Sequence, residues 1–382
     1  MNDRELHDHL VGQQGSRWAL NTPVLVLDLD ALDHNIAAMA DAVRNKGLTL
    51  RPHAKTHKSV EIARLQIAAG AVGMCCAKIG EAEVLADGGI EGLLITSPVT
   101  APGAIERLAL LAKGAPSTIA TVDDPDVATR INAALGAIGA TLDVLIDIDP
   151  GIHRTGVASP VAAVELAQTI AALPSLRYRG VQFYCGSQQH IADYAERHAA
   201  IVERTDYLKQ VIEALASASF PPGIVTGSGT GTHHIDMELG VFTELQAGSY
   251  VFMDQQYLDC DLSGTGAAAP PFATALAVDA RVVSANHDGL VTIDAGYKAL
   301  STDGGVAMVQ RGPGEGSRFA FMGDEHSALI EPGISEKLRP GDAVSLTVPH
   351  CDPTVNLYDY YHVVKGDTLV GLWPVSARGR AR

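Results

Sequence analysis

The N-terminal two thirds of the chain alternate short apolar runs with longer segments in which apolar residues recur every three or four positions. The short runs predict eight strands, at residues 48–54, 71–77, 92–97, 117–122, 141–149, 178–184, 223–227 and 245–250. The longer segments predict seven helices between these strands, for example at 160–173 and 193–218. Eight strands separated by helices are typical of a (β/α)8 barrel, although a doubly wound parallel sheet would show a similar alternation.

The pattern changes in the last third of the chain, where strand-like segments are punctuated by Gly, Pro and Asp and no helix is predicted. This pattern predicts a separate antiparallel β domain over residues 263–382, which begins with the small-residue linker 263–271. The apolar stretch 22–30 predicts a strand that joins this domain, so residues 1–30 form an N-terminal segment and residues 31–262 the barrel. The predicted fold class is α/β: a TIM-type (β/α)8 barrel with a C-terminal antiparallel β domain.

Composition and charge narrow the possible functions. The chain has 382 residues, of which 47% are hydrophobic, and a formal net charge of −16. This charge argues against nucleic acid as a partner, because phosphate groups are bound by basic surfaces. No apolar run approaches the roughly 18 residues of a membrane span, and the N-terminus lacks the pattern of a secretory signal. The five cysteines show no CxxC spacing, so we expect a cytoplasmic protein without disulfides or a thiolate zinc site.

Candidate functional residues follow the ends of the predicted barrel strands, where (β/α)8 enzymes place their active sites. The loop 226–232, with the sequence TGSGTGT, follows the seventh strand. Its glycines let backbone N–H groups approach an anion, and a following helix would add its partial positive charge. An ordinary turn would also suit these glycines, but the position after strand seven favours a phosphate site. The residues that we expect at this mouth, as ligands of a phosphorylated carbonyl cofactor or as reacting groups, are Lys55, Arg154, Tyr184, His190, Thr226, Gly229, Thr230, Gly231, Ser249 and Tyr250.

A lysine lies between two histidines in the stretch RPHAKTHKS, at the end of the first predicted strand. Residues two apart on a strand share a face, so His53, Lys55 and His57 would form a basic trio that points one way. Such a trio is either a solvated strand end or a lysine whose pKa is lowered by burial and by neighbouring positive charge. A lysine of the second kind forms a reversible covalent link with an aldehyde such as pyridoxal phosphate.

The stretch VPHCDPT near the C-terminus carries a second candidate site. His350 and Asp352 are two apart on a predicted strand, so their side chains would project from one face, with Cα atoms roughly 6.5–7 Å apart. Both could then bind one metal ion, while Cys351 points away. An imidazole and a carboxylate suit Mn²⁺ or Mg²⁺, with Zn²⁺ also possible. The alternative is a surface strand on which these polar residues are incidental.

The motifs TPVLVLDLDALDHNI, RPHAKTHKS, VGMCC, GIHRTGV, TGSGTGT, ELQAGSYVFMD, DAGYKAL, DEHSALIE, PHCDPTVNLYD and WPVSARG occur in this order between about residues 20 and 380. Together they resemble the D-threonine aldolase / D-serine dehydratase-like family, a branch of the alanine-racemase-type, fold type III enzymes that use pyridoxal phosphate. The resemblance implies a homodimer of barrel-plus-β-domain subunits with each active site at a subunit interface.

The resemblance also implies roles for individual residues. Lys55 matches the cofactor lysine, Arg154 an arginine near the phenolic oxygen, and Tyr184 a tyrosine beside the ring. His190 matches a histidine near the substrate hydroxyl. The residues that match the phosphate cup are Gly229, Thr230, Gly231 and Tyr250, and those that match the metal ligands are His350 and Asp352. The chain departs from the family aldolases at Ala77 and at Ser97-Pro98, where they carry Gln and Asn-Glu.

The function expected from this resemblance is a pyridoxal phosphate- and divalent-metal-dependent aldolase. It would cleave D-3-hydroxy amino acids of the D-threonine type, small-molecule substrates, to glycine and an aldehyde. D-3-Hydroxyaspartate, which would give glyoxylate, is an alternative substrate. A dehydratase that converts D-serine or D-hydroxyaspartate to a 2-oxo acid and ammonia is a further alternative, but family dehydratases carry HxC where this chain carries HxD. A racemase would need a second acid/base that the sequence does not locate, and non-catalytic carriers of this barrel type lack the β domain.

Overall fold

The computed structural model describes residues 2–265 and 271–382 and contains two sheets. The first sheet has eight parallel strands and includes the segment that leads to Lys55. Its strands, in chain order, are β2 (Thr49–Leu50), β3 (Cys75–Cys76), β4 (Leu94–Ile95), β5 (Ile119–Val122), β6 (Leu142–Ile148), β7 (Leu176–Phe183), β8 (Ile224–Gly227) and β9 (Glu244–Leu245). Each strand from β3 to β8 pairs with the next in sequence, and β9 pairs with β2. Backbone hydrogen bonds between Pro52, Ala54 and Cys75 join the first strand segment to β3, so the barrel closes.

Helices follow the barrel strands in sequence, and their ends have clear sequence causes. Ser59, Asp124, Ser159 and Asp193 each cap a helix by accepting a hydrogen bond from the backbone N–H three residues later. A proline occupies the first position of three helices, where its missing N–H costs nothing. The helices of this part are α2 (Leu29–Asn45), α3 (Val60–Ala68), α4 (Ile79–Asp87), α5 (Pro102–Gly114), α6 (Pro125–Ile138), α7 (Pro160–Ala171), α8 (Tyr194–Ser217), α9 (His233–Leu239) and α10 (Gln255–Leu258).

The second sheet is mostly antiparallel and has nine strands. These are β1 (Val24–Asp28), β10 (Leu276–His287), β11 (Leu290–Ile293), β12 (Met308–Arg311), β13 (Arg318–Phe321), β14 (Ser327–Ile330), β15 (Ala343–Thr347), β16 (Tyr360–Lys365) and β17 (Thr368–Pro374). The N-terminal strand β1 lies between β10, to which it is antiparallel, and β16, to which it is parallel. Three short helices accompany this sheet: α1 (Asp3–His7), α11 (Ile334–Lys337) and α12 (Cys351–Val355).

The predicted fold class is confirmed, and each of the eight predicted barrel strands contains or overlaps an observed strand. The prediction for the C-terminal part was wrong in two respects. The strands β12 and β14 were not predicted, and the helices α11 and α12 lie where no helix was predicted. All four are only four or five residues long, too short for hydrophobic periodicity to show. Most of the predicted linker 263–271 lies outside the described residues.

One continuous apolar core extends from the barrel into the second sheet. At the boundary, the rings of Phe252 and Tyr361 pack with their centroids 5.7 Å apart. The hydroxyl of Tyr361, on β16, donates a 2.6 Å hydrogen bond to the carbonyl of His57, in the segment that carries Lys55. The second sheet therefore supports the Lys55 segment directly. None of the described helices is both long enough and apolar enough to cross a lipid bilayer.

Candidate active site

A cavity of about 520 Å³ opens at the C-terminal ends of the barrel strands. This volume lies within the usual range for sites that bind cofactors and small substrates. The structure brings six of the predicted residues to its wall: Lys55, Arg154, Tyr184, Gly229, Thr230 and Ser249. Further residues that line it include His53, Ala77, Lys78, Thr96, Asp123, Gln182, Gln246, Gly248 and Tyr257.

Lys55 lies in a turn rather than on a strand, so the predicted basic trio does not form. The strand β2 ends at Leu50, and the carbonyl of Ala54 accepts hydrogen bonds from His57 N–H at 3.1 Å and Lys58 N–H at 2.7 Å. His53 lines the cavity, with Nε2 3.0 Å from Thr96 Oγ1. His57 is fully buried and does not belong to the cavity wall. Side chains no longer alternate between two faces where this turn begins, so His53, Lys55 and His57 do not point the same way.

The amine of Lys55 forms an ion pair with a carboxylate in the C-terminal part of the chain, the part that forms the second sheet. Lys55 Nζ lies 2.9 Å from Asp352 Oδ2. This ion pair holds the pKa of Lys55 above its ordinary value, contrary to the lowered pKa that the sequence predicted. Burial alone would raise the pKa of Asp352, but the charge of Lys55 lowers it to about 2. The two groups are therefore an ionised pair at neutral pH.

His350 and Asp352 do not lie on a strand, so the strand-based reasoning for their shared face was wrong. The strand β15 ends at Thr347, His350 is the residue before α12, and Asp352 belongs to the first turn of that helix. Pro353 follows in the same turn, a position that proline tolerates. Cys351 is buried, with its thiol 3.7 Å from the carbonyl of Met253.

The donor atoms of His350 and Asp352 fit a divalent metal ion. Asp352 Oδ1 is buried and makes no well-formed hydrogen bond with the described residues, so one oxygen remains for a cation. The Nδ1 atom of His350 lies 2.8 Å from Asp303 Oδ2, which leaves Nε2 as the donor on the other side of the ring. An imidazole nitrogen and a carboxylate oxygen suit Mn²⁺, Mg²⁺ or Zn²⁺.

A second group of metal-ligating side chains lies outside the cavity wall. Asp3, His7 and His362 place three donor atoms within 4.8 Å of one another. However, His7 Nε2 accepts a hydrogen bond from Asn21 N–H at 3.0 Å, so the ring's proton sits on Nδ1, which faces His362 Nε2 at 2.8 Å. His7 therefore has no lone pair free for an ion, and the two histidines form a hydrogen-bonded pair.

The glycine-rich loop is shaped by its contact with Gln189. A Cβ atom at Gly231 would overlap the Gln189 carbonyl oxygen, and one at Gly229 would overlap the Gln189 side chain. Gln189 Oε1 also accepts the Gly231 N–H at 3.0 Å, so this N–H is already used within the protein. Gly229 and Thr230 face the cavity, whereas Gly231 lies behind them. The helix after the loop, α9, has only seven residues.

Several predicted residues lie behind or beside the cavity wall. The hydroxyl of Thr226 donates to Glu244 Oε1 at 2.9 Å inside the barrel, and the hydroxyl of the fully buried Tyr250 accepts from Gln66 Nε2 at 2.9 Å. His190 is exposed, with its ring centroid 4.5 Å from that of Tyr257.

The protonation of His190 follows from its surroundings. Partial burial of the ring is the largest cause that lowers the pKa of His190 to about 4, and the neighbouring His350 and Lys55 act in the same direction. Its imidazole is therefore neutral at physiological pH. These interactions place His190 within electrostatic range of both the lysine and the proposed metal ligands.

Sequence reasoning missed Asp303 and Gln189. Asp303 lies in the segment STDGG, and its signal was an acidic residue before a pair of glycines, which also occurs in ordinary turns. Gln189 stands next to the predicted His190, and nothing in the sequence pattern indicated its contact with the glycine-rich loop.

The fold combines an eight-stranded barrel, which carries Lys55 and a glycine-rich loop at its mouth, with a second sheet. The chain segment after β15 places Asp352 beside Lys55. This combination defines a class of two-part enzymes. Residues 27–256 match the family model described as alanine racemase, N-terminal domain, and residues 275–364 match a serine dehydratase domain model. The chain belongs to the alanine-racemase-type, fold type III family, in the branch of the D-threonine aldolases and D-serine dehydratases. The predicted family is thus confirmed.

Individual relatives cover nearly the whole chain. The 3-hydroxy-D-aspartate aldolase of Paracoccus denitrificans is 37% identical over 364 residues, which cover 94% of this chain and 93% of that protein. The crystal structure of D-threonine aldolase from Filomicrobium marinum matches with a TM-score of 0.90 and 38% identity, over 96% of this chain and 97% of that one. The D-threo-3-hydroxyaspartate dehydratase of Delftia sp. is 30% identical, over 94% of this chain and 98% of that protein. The two aldolases among these relatives are lyases.

Proposed function

We propose that this protein is a pyridoxal phosphate- and divalent-metal-dependent aldolase that cleaves D-3-hydroxy amino acids of the D-threonine type to glycine and an aldehyde. The observation that carries the proposal is the 2.9 Å contact between Lys55 Nζ and Asp352 Oδ2. It brings the candidate cofactor lysine of the barrel and a candidate metal ligand of the β domain into one site. The aldolases among the relatives support the same reaction class.

The barrel residues fit pyridoxal phosphate. Lys55 offers the amine, Gly229 and Thr230 offer a phosphate site, and Arg154 forms no ion pair with any described residue, so it can face an anionic oxygen. The Arg154 guanidinium carbon lies 5.7 Å from the centre of the Tyr184 ring. When bound, the cofactor supplies an electron-accepting ring that stabilises negative charge at the substrate Cα. Thr226, Gly231 and Tyr250 would act from behind the wall, by holding the residues that line it.

The residues that would hold the metal are His350 and Asp352. An ion bound there would supply a Lewis acid for the substrate hydroxyl, and a carboxylate favours Mn²⁺ or Mg²⁺ over a thiophilic ion. Because the thiol of Cys351 faces the Met253 carbonyl, it does not offer the ligand that a dehydratase-type site would use. The neutral His190 is one candidate for the base that accepts the hydroxyl proton, and a water molecule at the ion is the other.

D-3-Hydroxyaspartate is the second candidate substrate, and one observation favours it. Lys78 lines the cavity and, like Arg154, has no ion pair among the described residues. An unpaired cation at the mouth can receive the additional carboxylate of this substrate. At Ala77 and Ser97-Pro98 this chain carries smaller side chains than the family aldolases, which leaves room beside Lys78. A dehydratase acting on D-serine or D-hydroxyaspartate is the remaining alternative, supported by the relative from Delftia.

The assembly and location that we propose are a cytoplasmic homodimer built from a segment 1–30, a barrel 31–262 and a β domain 263–382. The five free cysteines, all buried, suit a reducing compartment. Exposed apolar side chains on the β domain, including Tyr297, Val306 and Met322, suit contact with a second copy. Sedimentation equilibrium at two concentrations tests the dimer, and a mass equal to one chain at both would contradict it.

Product analysis tests the proposed reaction. The protein, reconstituted with pyridoxal phosphate, is incubated with D-threonine, D-3-hydroxyaspartate or D-serine, with Mn²⁺ or with chelator. We expect glycine and acetaldehyde in equal amounts from D-threonine, in the presence of Mn²⁺ only. Glyoxylate and glycine from D-3-hydroxyaspartate alone would select the second substrate. A 2-oxo acid with ammonia and no glycine would refute the aldolase and support the dehydratase.

A further inference from the structure

The loop 301–305 lies against His350, the proposed metal ligand. From this contact we propose that Asp303 is a positioning residue, which fixes the His350 ring so that Nε2 is presented to the metal ion. The inference rests on the proposed function, because it assumes a metal site at His350 and Asp352. Asp303 Oδ2 lies 2.8 Å from His350 Nδ1.

The chemistry of the contact selects one form of the histidine ring. A carboxylate can only accept hydrogen bonds, so Nδ1 of His350 carries a proton and donates it to Asp303. In the neutral ring the remaining nitrogen, Nε2, then has a free lone pair, which is the form that binds a metal ion. A carboxylate behind a histidine also makes the ligating nitrogen more basic, and such partners orient the ring.

Backbone contacts bring this loop to His350 and keep it there. The Ser301 hydroxyl lies 3.2 Å from both the backbone nitrogen and the carbonyl oxygen of His350. Thr354 Oγ1 accepts the Ser301 N–H at 3.1 Å and donates to the His350 carbonyl at 2.8 Å. Ser301 and Thr354 are both buried. This fixed segment therefore holds Asp303, two residues beyond Ser301, beside the His350 ring.

A glycine next to Asp303 allows the close approach. A Cβ atom at Gly304 would lie 2.7 Å from the Pro349 carbonyl oxygen and 2.9 Å from His350 Cβ. Any side chain there would push the loop away from the histidine. Gly304 thus provides a second variant, which moves Asp303 without removing its carboxylate.

A purely structural role for the contact between Asp303 and His350 is a poor explanation. The Asp303 side chain is 54% exposed and that of His350 is 23% exposed. Polar contacts this open to water, even those between full charges, contribute little to the stability of a fold. The contact should therefore matter for the metal rather than for folding, and the two roles can be separated by experiment.

Metal binding to the holoenzyme tests the inference. Free Mn²⁺ is measured by electron paramagnetic resonance during titration of the wild type, Asp303→Ala, Asp303→Asn and Gly304→Ala. We expect the Kd for Mn²⁺ to rise about 10- to 100-fold in Asp303→Ala. Gly304→Ala should follow in the same direction, and Asp303→Asn, which keeps an acceptor oxygen, should lose less. Activity should recover towards the wild-type kcat at saturating Mn²⁺, while the cofactor absorbance and the melting temperature stay unchanged.

The controls separate this inference from the proposed function. Asp288→Ala removes the same charge from the exposed turn between β10 and β11 and should leave the Kd unchanged. His350→Ala and Asp352→Ala should abolish binding. If they do, and Asp303→Ala binds Mn²⁺ within twofold of the wild type, Asp303 has no positioning role. If Asp303→Asn also abolishes binding, Asp303 is itself a ligand and the inference is overturned. If the wild type binds no Mn²⁺, the proposed metal site fails and the inference fails with it.

Discussion

Lys55 and Lys78 both line the cavity. Of these two, only Lys55 has a carboxylate partner within the described residues, Asp352 at 2.9 Å. We predict that Lys55→Ala, reconstituted with pyridoxal phosphate and freed of excess cofactor, lacks visible absorbance, because the amine that holds the cofactor is gone. Lys78→Ala is the matched control and should keep the absorbance. A coloured Lys55→Ala protein would show that another amine holds the cofactor.

Gly231 tests the contact between the glycine-rich loop and Gln189. An alanine there would place its Cβ on the Gln189 carbonyl oxygen, so backbone must shift. We predict that Gly231→Ala lowers the free energy of unfolding by about 1–3 kcal/mol and weakens cofactor binding. Gly103→Ala is the control, since a Cβ at this position on α5 meets nothing within 4 Å. It should be neutral or stabilise by less than about 1 kcal/mol. Urea unfolding of both variants measures the difference, and equal stabilities would contradict the prediction.

At the same scale, the sequence predicted which residues gather at the mouth better than it predicted what each one contacts. Lys55, Arg154 and Tyr184 line the cavity because a barrel brings the ends of its strands together. The partner of Lys55 was missed, because Asp352 is remote in sequence and its approach depends on how the two sheets pack. Asp303 was missed for the same reason: its contact with His350 is a product of tertiary structure.

At the scale of elements, a buried ion pair joins two very short strands of the barrel. Arg51, just after β2, donates to Glu244 on β9 from Nε at 3.0 Å and from Nη2 at 2.9 Å, and both side chains are buried. We predict that Arg51→Leu lowers the free energy of unfolding by about 3–5 kcal/mol, because it leaves the Glu244 carboxylate buried without its partner.

A control is Arg177→Leu, which removes a half-exposed arginine from its pair with Asp143 between the neighbouring strands β7 and β6, where Arg179 still pairs with Asp143. Its cost should not exceed about 1 kcal/mol. Urea unfolding at pH 7.5 compares the two variants. A similar small cost for both would show that the Arg51 pair does not hold β2 to β9.

Element identity was predictable where the apolar pattern was long, and it failed where elements are short. The helix α8 was predicted at 193–218 and spans Tyr194–Ser217, because six turns of periodicity leave no ambiguity. The segment around Asp352 was predicted as a strand, yet α12 has one turn and a proline in it. Hydrophobic runs also overstated strand length: the run 48–54 contains a strand of two residues, because burial does not require ladder hydrogen bonds.

At the scale of the whole molecule, buried histidines make stability depend on pH. Burial, as the largest cause in each case, lowers the pKa values of His57, His233 and His362 to about 4. Between the unfolded value of 6.5 and pH 4, the unfolded chain binds protons that the folded chain does not. The stability that these neutral, buried histidines contribute is therefore fully present above about pH 6.5 and is lost as the pH falls towards 4.

We predict that the free energy of unfolding decreases between pH 7 and pH 5, by up to about 1.4 kcal/mol per pH unit for each such histidine. Three buried acids act against this trend, because burial raises the pKa of Asp147, Asp236 and Asp254 to about 6, so the folded chain gains protons below that value. The variant His362→Gln should show a shallower slope than the wild type. Urea unfolding at closely spaced pH values measures both, and parallel curves would contradict the assignment of His362.

The sequence predicted a barrel followed by a β domain, because the alternation of strands and helices ends at one place in the chain. It could not predict how the two parts pack together, since the decisive contacts pair residues that are far apart in sequence. The Tyr361 hydroxyl on the His57 carbonyl and the Asp352 carboxylate on the Lys55 amine are both of this kind. The resemblance to a known family supplied what hydrophobic periodicity could not.

The most direct test of the account is a crystal structure of the protein grown with pyridoxal phosphate and Mn²⁺, with data collected at the manganese absorption edge. The account predicts continuous density from Lys55 Nζ to the cofactor and one anomalous peak bonded to His350 Nε2 and Asp352 within the same cavity. Cofactor density that ends short of Lys55, or an anomalous peak found at His7 and His362 instead, would contradict it.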